Sequence, residues 1–310
     1  MRAEGPRLMS SPIPRPSPAP PGLPRELSMG EFEAFRALVA EHTGIALGAH
    51  KRALLQARLG QRLRTLGLAT FTDYHRVLVE QDPEGEELAR FVNAVTTNKT
   101  DFYREAHHFA YLAERWAPEA LGRAAPGTPR AVRIWSAGCS TGEEPYTIAM
   151  TLADALKDAA GWNVRILASD VDTDVLDHAA AGVYSADNVG SIPRATLTRH
   201  FLRGTGASAG LVRVRPALRG LVTFRHINLL AERWPIGTRF DVIFCRNVLI
   251  YFDRPTQQRI LDRLVSFLKD GGALVLGHSE TVHGMVSGLR HLGNTIYHKE
   301  IHHAGDHPHR

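Results

Sequence analysis

The sequence predicts an α/β protein: a doubly wound, mostly parallel sheet carrying a small inserted antiparallel β-subdomain, preceded by a small all-helical domain. Three observations predict it. From about Ala131 short apolar runs alternate with helix-forming stretches, the signature of strands joined by crossover helices. Several runs, such as Val242-Ile243-Phe244, are apolar on both faces, as strands covered on both sides are. Upstream, from Leu27 to about Gln81, the apolar period is helical.

Taken in order, residues 1–24 are dense in proline with little to bury, and read as a disordered tail. The helical domain occupies residues 25–92. Ser28 caps its first helix, and Glu31 three positions on completes a capping box. Phe32, Phe35, Leu38 and Val39 then recur at helical spacing. A second helix spans Ala49–Leu66, with Leu55, Leu59, Leu63 and Leu66 as its buried stripe. Lys51, Arg58 and Arg62 share a narrow arc beside that stripe, and no acidic residue lies between Glu41 and Asp73. Such a face is either solvated or shaped for an acidic partner, and the missing acids favour the partner.

Residues 93–300 form the α/β domain, with strands in "VRIWSAG", "VRILASD", "LVTFRHINL", "FDVIFCRN" and "GALVLGHSE". Residues 185–220 are its insertion: "TGASAG" is a turn and "LVRVRP" alternates like an exposed edge strand. Residues 301–310 form a histidine-rich tail whose imidazoles could hold metal loosely but fix no coordination geometry, so no metal site is predicted.

Composition narrows the function. The chain has 310 residues, 44% apolar and 22% charged, ordinary values for a globular protein. Two cysteines, Cys139 and Cys245, give no disulfide framework, which points to a reducing, cytoplasmic setting. No apolar run is long enough to span a bilayer, and the N-terminus does not read as a signal peptide. The charge of +5 suggests an acidic partner. No oligomerisation motif is present, so a monomer is expected.

The turn Gly138-Cys139-Ser140-Thr141-Gly142 carries the chemistry, and three ligand chemistries compete for it. It matches the G-x-S-x-G nucleophile elbow of α/β-hydrolases, with Asp170 and His278 following in the required order. Against that, Ser140 follows the first strand in sequence, and no HGGG-type segment precedes it. A dinucleotide loop needs a second glycine where Ser140 stands, and Glu143 and Glu144 at the helix start would repel phosphate. S-adenosylmethionine fits better: it has a sulfonium, an ammonium and a ribose diol, and no phosphate. Asp170, at the end of the second strand, is placed for the diol, since Asp172 or Thr173 can cap the next helix instead. Arg246 and Asn247 close the fourth strand, where open α/β sheets bind ligands. Tyr251 and Phe252 read as core on composition alone.

With "TTNKTDFYRE", "WSAGCSTGEEPYTIAM", "ASDVDTDVLDHAAAGVY", "INLL", "FDVIFCRNVLIYFD" and "GHSE" in order, residues Leu27 to Glu300 resemble the CheR-type chemotaxis receptor methyltransferases. The resemblance implies a Rossmann-like S-adenosylmethionine-dependent methyltransferase domain that esterifies glutamates on chemoreceptor signalling helices, leaving S-adenosyl-L-homocysteine. It also implies cofactor contacts at Asn98, Thr100, Arg104, Gly138, Glu144 or Glu143, Asp170, Asn228, Leu229, Arg246 and Asn247. Arg104 and Tyr251 are the expected residues along the methyl's path. Lys51, Arg58 and Arg62 are the expected receptor-binding cations, and the β-subdomain is expected to dock a receptor C-terminal peptide by strand addition. Two other readings stay open: a methyltransferase of the same fold acting on nucleic acid or a small molecule, and a non-catalytic cofactor-binding scaffold or sensor. Nucleic acid is not the expected partner.

Overall fold

The computed structural model describes residues 26–123, 130–157, 161–282 and 284–301. The tail expected over 1–24, and all but the first residue of the one expected over 301–310, lie outside the described residues. The chain divides into two compact units, one of Met1–Phe35 with Ala49–Phe91, the other of Arg36–Gly48 with Val92–Arg310.

The first unit is helical. Helix α1 (Met29–Thr43) opens with the predicted capping box: Glu31 N–H donates to Ser28 Oγ, and Ser28 N–H donates to Glu31 Oε2 at 3.0 Å. Helix α2 (Arg52–Leu66) begins three residues later than expected, because Ala49–Lys51 is a 3₁₀ turn and Lys51 has no side-chain acceptor with which to cap. Helices α3 (Phe71–Glu80) and α4 (Glu86–Val95) follow, and both α1, from Arg36, and α4, from Val92, continue into the second unit. Leu55, Leu59 and Leu63 are buried as predicted, whereas Leu66 in the last turn is only half-buried. Phe35 anchors the core, with ring centroids 6.4 Å from Phe71, 5.9 Å from Tyr74 and 5.8 Å from Phe91.

The second unit is α/β. After α5 (His107–Tyr111) and α6 (Ala117–Arg123) come β1 (Arg130–Ala137), α7 (Glu143–Ala155), β2 (Trp162–Asp170) and α8 (Thr173–Ala181). A subdomain of β3 (Val183–Ser185), α9 (Arg194–His200), β4 (Phe201–Arg203), β5 (Leu211–Val214) and α10 (Pro216–Arg219) interrupts the alternation. The chain resumes with β6 (Val222–His226), β7 (Phe240–Cys245), α11 (Arg254–Phe267), β8 (Leu268–Leu276), β9 (Leu289–Gly293) and β10 (Ile296–Lys299).

The main sheet has the order β6-β2-β1-β7-β8-β10-β9, parallel from β6 to β8 and antiparallel beyond. The small antiparallel sheet of the insertion has the order β3-β5-β4. Alternate residues of β1 enter separate cores: Val132 and Ile134 pack with Val242 and Phe244, while Trp135 and Ala137 pack with Ile243 and Cys245. That two-sided burial explains the unbroken apolar runs. It contributes about 1.5–3 kcal/mol for each large apolar side chain. Both cysteines are buried, and burial raises their thiols well above the ordinary range. No described helix is long and apolar enough to cross a membrane.

Candidate active site

The site forms where β1, β2 and β7 end, at the carboxyl edge of the parallel sheet. The turn after β1 needs its glycines. Gly138 has φ +77°, and a Cβ there would collide with Val248. Gly142 has φ +97°, and a Cβ would lie 2.8 Å from both Ala179 Cβ and Tyr184 Oη. Between them Ser140, at φ +49°, is held by two bonds: its N–H donates to Asp170 Oδ2 at 2.8 Å, and its Oγ donates to the carbonyl of Asn98 at 2.8 Å.

Asp170 therefore sits under the turn as the sequence requires, while Asp172 does the capping, accepting from the N–H groups of Asp174 and Val175. Asp172 does more than cap: its Oδ2 accepts from Thr96 Oγ1 at 2.6 Å and from Asn98 Nδ2 at 2.7 Å. Burial pushes the Asp170 carboxyl up from its ordinary value, against the N–H donors of Asp172 and Ser140.

The acidic pair at the start of α7 splits its duties. Glu143 is buried and accepts from Thr141 Oγ1 at 2.6 Å, and burial raises its carboxyl. Glu144 accepts from Ser136 Oγ at 2.7 Å and from Arg246 Nη1 at 2.9 Å. Arg246 is the hub. Its side chain is 2% exposed, Nη2 lies 3.2 Å from Glu105 Oε2 and also donates to the carbonyl of Arg104, and Nε is buried without a partner. Phe109 lies under the guanidinium at 5.4 Å.

Glu105, which sequence reasoning passed over, also accepts from His278 Nδ1 at 2.8 Å and from Asn247 Nδ2 at 3.4 Å. Burial alone would raise its carboxyl, but His278, Arg246 and Asn247 outweigh that and hold its pKa lowered to about 2. Beside it His108 is fully buried, and burial lowers its pKa to about 4. Asn247 takes a left-handed conformation, φ +58°, because Glu280 collects the N–H groups of Gly277, Asn247, Leu249 and Ile250 at 2.7–3.3 Å. Glu280 lies inside the "GHSE" block; it too went unassigned from sequence.

Asn98 and Asp170 thus share one hydrogen-bonded group with Ser140 and Asp172, while Glu144, Arg246, Asn247 and the Arg104 carbonyl gather with Glu105 in a second, and Gly138 N–H donates to the Ser169 carbonyl. Thr100 is half-buried, and Arg104 Nη1 donates to the carbonyl of Lys99 at 2.8 Å. Asn228 is occupied otherwise: its Nδ2 donates to the carbonyl of His42 at 2.6 Å and its Oδ1 accepts from Leu230 N–H, so its amide staples a turn. Leu229 is buried among Trp135, Ile227 and Trp234. Tyr251 is half-buried, and its carbonyl accepts from Ala46 N–H at 2.8 Å.

Lys51, Arg58 and Arg62 belong to the other unit. Lys51 is exposed, but Arg62 is engaged internally, forking onto Glu87 at 2.9 and 2.6 Å, with Tyr74 Oη on the same carboxylate. A helix that is acid-free in sequence is not acid-free in space.

The hydrolase reading fails on geometry, though not where the sequence argued. In space β1 is an interior strand between β2 and β7, a proper place for an elbow. Yet Ser140 Oγ donates to a backbone carbonyl, and His278 is bound to Glu105. The carboxylates of Asp170, Glu143, Glu144 and Glu105 outnumber the Arg246 guanidinium that Glu144 and Glu105 offset, a set that disfavours phosphate and suits hydroxyls and an ammonium.

Comparison with known proteins agrees. Residues 98–298 match the family model described as CheR methyltransferase, SAM binding domain, and residues 30–96 match CheR methyltransferase, all-alpha domain. The chain is 47% identical over 271 residues to a chemotaxis protein methyltransferase of Klebsiella aerogenes, covering 87% of this chain and 90% of that one. It is 45% identical to the chemotaxis protein methyltransferase of Escherichia coli K12, covering 87% and 91%. Among solved structures, the N-methyltransferase NodS of Bradyrhizobium japonicum with S-adenosyl-L-homocysteine is similar at 17% identity and TM-score 0.31, covering 66% of this chain and 70% of that one. A likeness at that level carries no further argument.

Proposed function

Because the chain belongs to the CheR methyltransferase family, we propose that it esterifies glutamate side chains on the cytoplasmic signalling helices of chemoreceptors. Methyl transfer in chemotaxis with S-adenosylmethionine as cofactor comes with the family; the glutamate and the receptor helix are the finer reading. The observation that carries it is the pair of carboxylates at this edge of the sheet, where Asp170 accepts from Ser140 N–H and Glu144 offsets Arg246. Such a site holds a diol and an ammonium and leaves phosphate out.

Asp170 would hold the ribose hydroxyls, with Glu144 or Glu143 holding the cationic end. The backbone at Gly138 would let the ligand approach closely, and Asn98, Thr100, Arg246 and Asn247 would complete the wall. Asn228 and Leu229 would serve by shaping that wall, since the amide of one and the side chain of the other are already committed. When bound, the cofactor supplies an electrophilic methyl group on a sulfonium. The accepting glutamate is ionised at neutral pH, so no residue has to remove a proton. Arg104 orients the incoming carboxylate, and Tyr251 narrows its approach to a line. Positioning and exclusion of water then supply the rate.

Lys51 and Arg58 would meet the acidic receptor helix, and Arg62, spent on Glu87, would contribute by holding α2 in place. The exposed strands of the β3-β5-β4 sheet would take a receptor peptide. A monomer in the cytoplasm completes the reading.

The test is transfer of a labelled methyl group from S-adenosylmethionine to a chemoreceptor cytoplasmic fragment. Label released as volatile methanol by alkali is expected, because a glutamyl methyl ester is base-labile. Label that survives alkali, or no transfer to any receptor fragment, would overturn the proposal.

A further inference from the structure

Four residues from three separate segments close a ring of hydrogen bonds around the turn after β1. Ser140 N–H donates to Asp170 Oδ2 at 2.8 Å, and Asp172 N–H donates to Asp170 Oδ1 at 3.1 Å. Asn98 closes the ring through two of its groups: its carbonyl accepts from Ser140 Oγ at 2.8 Å, and its Nδ2 donates to Asp172 Oδ2 at 2.7 Å. Each oxygen of Asp170 thus takes one backbone N–H and keeps a lone pair for one hydroxyl of a diol.

Asp172, buried at this ring, makes more bonds than a helix cap needs. Oδ1 alone caps α8, accepting from Asp174 and Val175 N–H at 3.0 and 3.2 Å. Oδ2 is left for Thr96 Oγ1 at 2.6 Å and for Asn98 Nδ2. A carboxylate oxygen only accepts, so the Asn98 atom that faces it is the amide nitrogen. The second hydrogen of that nitrogen goes to Thr96 Oγ1 at 3.2 Å. With both hydrogens spent, Asn98 has only Oδ1 to present to a ligand.

We propose that Asp172 is a positioning residue for the cofactor: its carboxylate fixes the Asn98 amide with the oxygen outward, so that Asn98 selects a hydrogen-bond donor of the ligand, an amine, an ammonium or a hydroxyl. The proposal rests on the reading of Asn98 as a cofactor contact. A neutral or apolar side chain at 172 would release the amide, which could then turn its nitrogen to the ligand and oppose donor to donor.

The test separates this role from capping, using the full chain. Asp172→Asn keeps the cap, because asparagine caps as well as aspartate, but places an amide nitrogen where Oδ2 met Asn98. Its thermal midpoint should change little, while calorimetric affinity for S-adenosylhomocysteine should fall about tenfold, the loss of roughly one net hydrogen bond. Asp172→Ser, which also caps but is too short to reach Asn98, should weaken binding likewise. Asn98→Asp alone should weaken binding, because two carboxylates then face each other. Added to Asp172→Asn it should restore most of the affinity, since one of its oxygens accepts from the new amide and the other still meets the ligand. Unchanged affinity in Asp172→Asn or Asp172→Ser, or a double variant no tighter than Asp172→Asn, would overturn the role. Asn98→Ala tells that failure from failure of the cofactor reading: normal affinity there removes Asn98 itself from the site.

Discussion

Arg62 and Arg246 both bind glutamates, and the contrast between them separates a structural ion-pair group from a functional one. Arg62 forks onto Glu87, Tyr74 Oη donates to the same carboxylate, and Arg90 lies 3.6 Å from it while also meeting Glu86. Charge balances across the two arginines and two glutamates, and the group holds α2 and α4 together. Arg246 meets two carboxylates, Glu144 and Glu105, keeps a buried Nε without a partner, and sits beside a buried His108 in the same condition. A folded interior normally satisfies its polar groups. The surplus charge and orphaned atoms around Arg246 mark a place organised for something other than stability.

The contrast is broken or sharpened most strongly by deleting each arginine in turn. Arg246→Ala should leave buried carboxylates unpaired, cost about 3–5 kcal/mol, and abolish binding of S-adenosylhomocysteine. Calorimetric titration and thermal unfolding check both halves; a variant that binds cofactor normally would remove Arg246 from the site. Arg62→Ala should cost less, about 2–3 kcal/mol, because that pair is partly exposed. Its cofactor affinity should be unchanged, and replacing both Arg62 and Glu87 with apolar residues of similar size should recover most of the stability. If cofactor affinity falls with Arg62, the two pairs do not differ in kind.

Arg62 also shows where sequence reading stops. Its arc on α2 was legible, but the acid that neutralises it comes from α4, 25 residues away. The same limit explains the site. The turn after β1, Asp170 and the Arg246-Asn247 pair were legible because each depends on local chemistry at a strand end. Glu105 was missed although it follows Arg104 directly, because its partners lie 142 and 173 residues along the chain. The amide of Asn228 staples a turn that only the folded chain brings together, a role no local pattern announces. The elbow argument used strand order in sequence, and the sheet reorders its strands so that β1 lies inside.

Smaller effects test the wall rather than the hub. Glu280 holds Asn247 left-handed through four backbone N–H groups, with Oε2 serving Gly277 and Asn247 and Oε1 serving Leu249 and Ile250. Glu280→Gln keeps one acceptor oxygen and loses the other, so half of these bonds go. A loss of about tenfold in kcat/KM is expected from roughly one net hydrogen bond to a charged group. An unchanged value would mean that Asn247 holds its conformation without help.

The smallest effect separates the two acids that flank the turn and the hub. Asp170 accepts from hydroxyls most strongly while ionised, and burial raises its pKa above the ordinary 3.8. Glu105 is held lowered to about 2 and stays ionised throughout the same range. As pH falls, Asp170 takes up its proton first, so affinity for S-adenosylhomocysteine should start to decline above pH 3.8 while the Arg246–Glu105 contact remains intact. Asp170→Asn should bind more weakly at neutral pH and lose this part of the decline; Glu105→Gln should keep it. Titrations of the three proteins across mildly acidic pH decide the matter. If the slope survives in Asp170→Asn, another group carries it, and the assignment of the ribose hydroxyls to Asp170 fails with it.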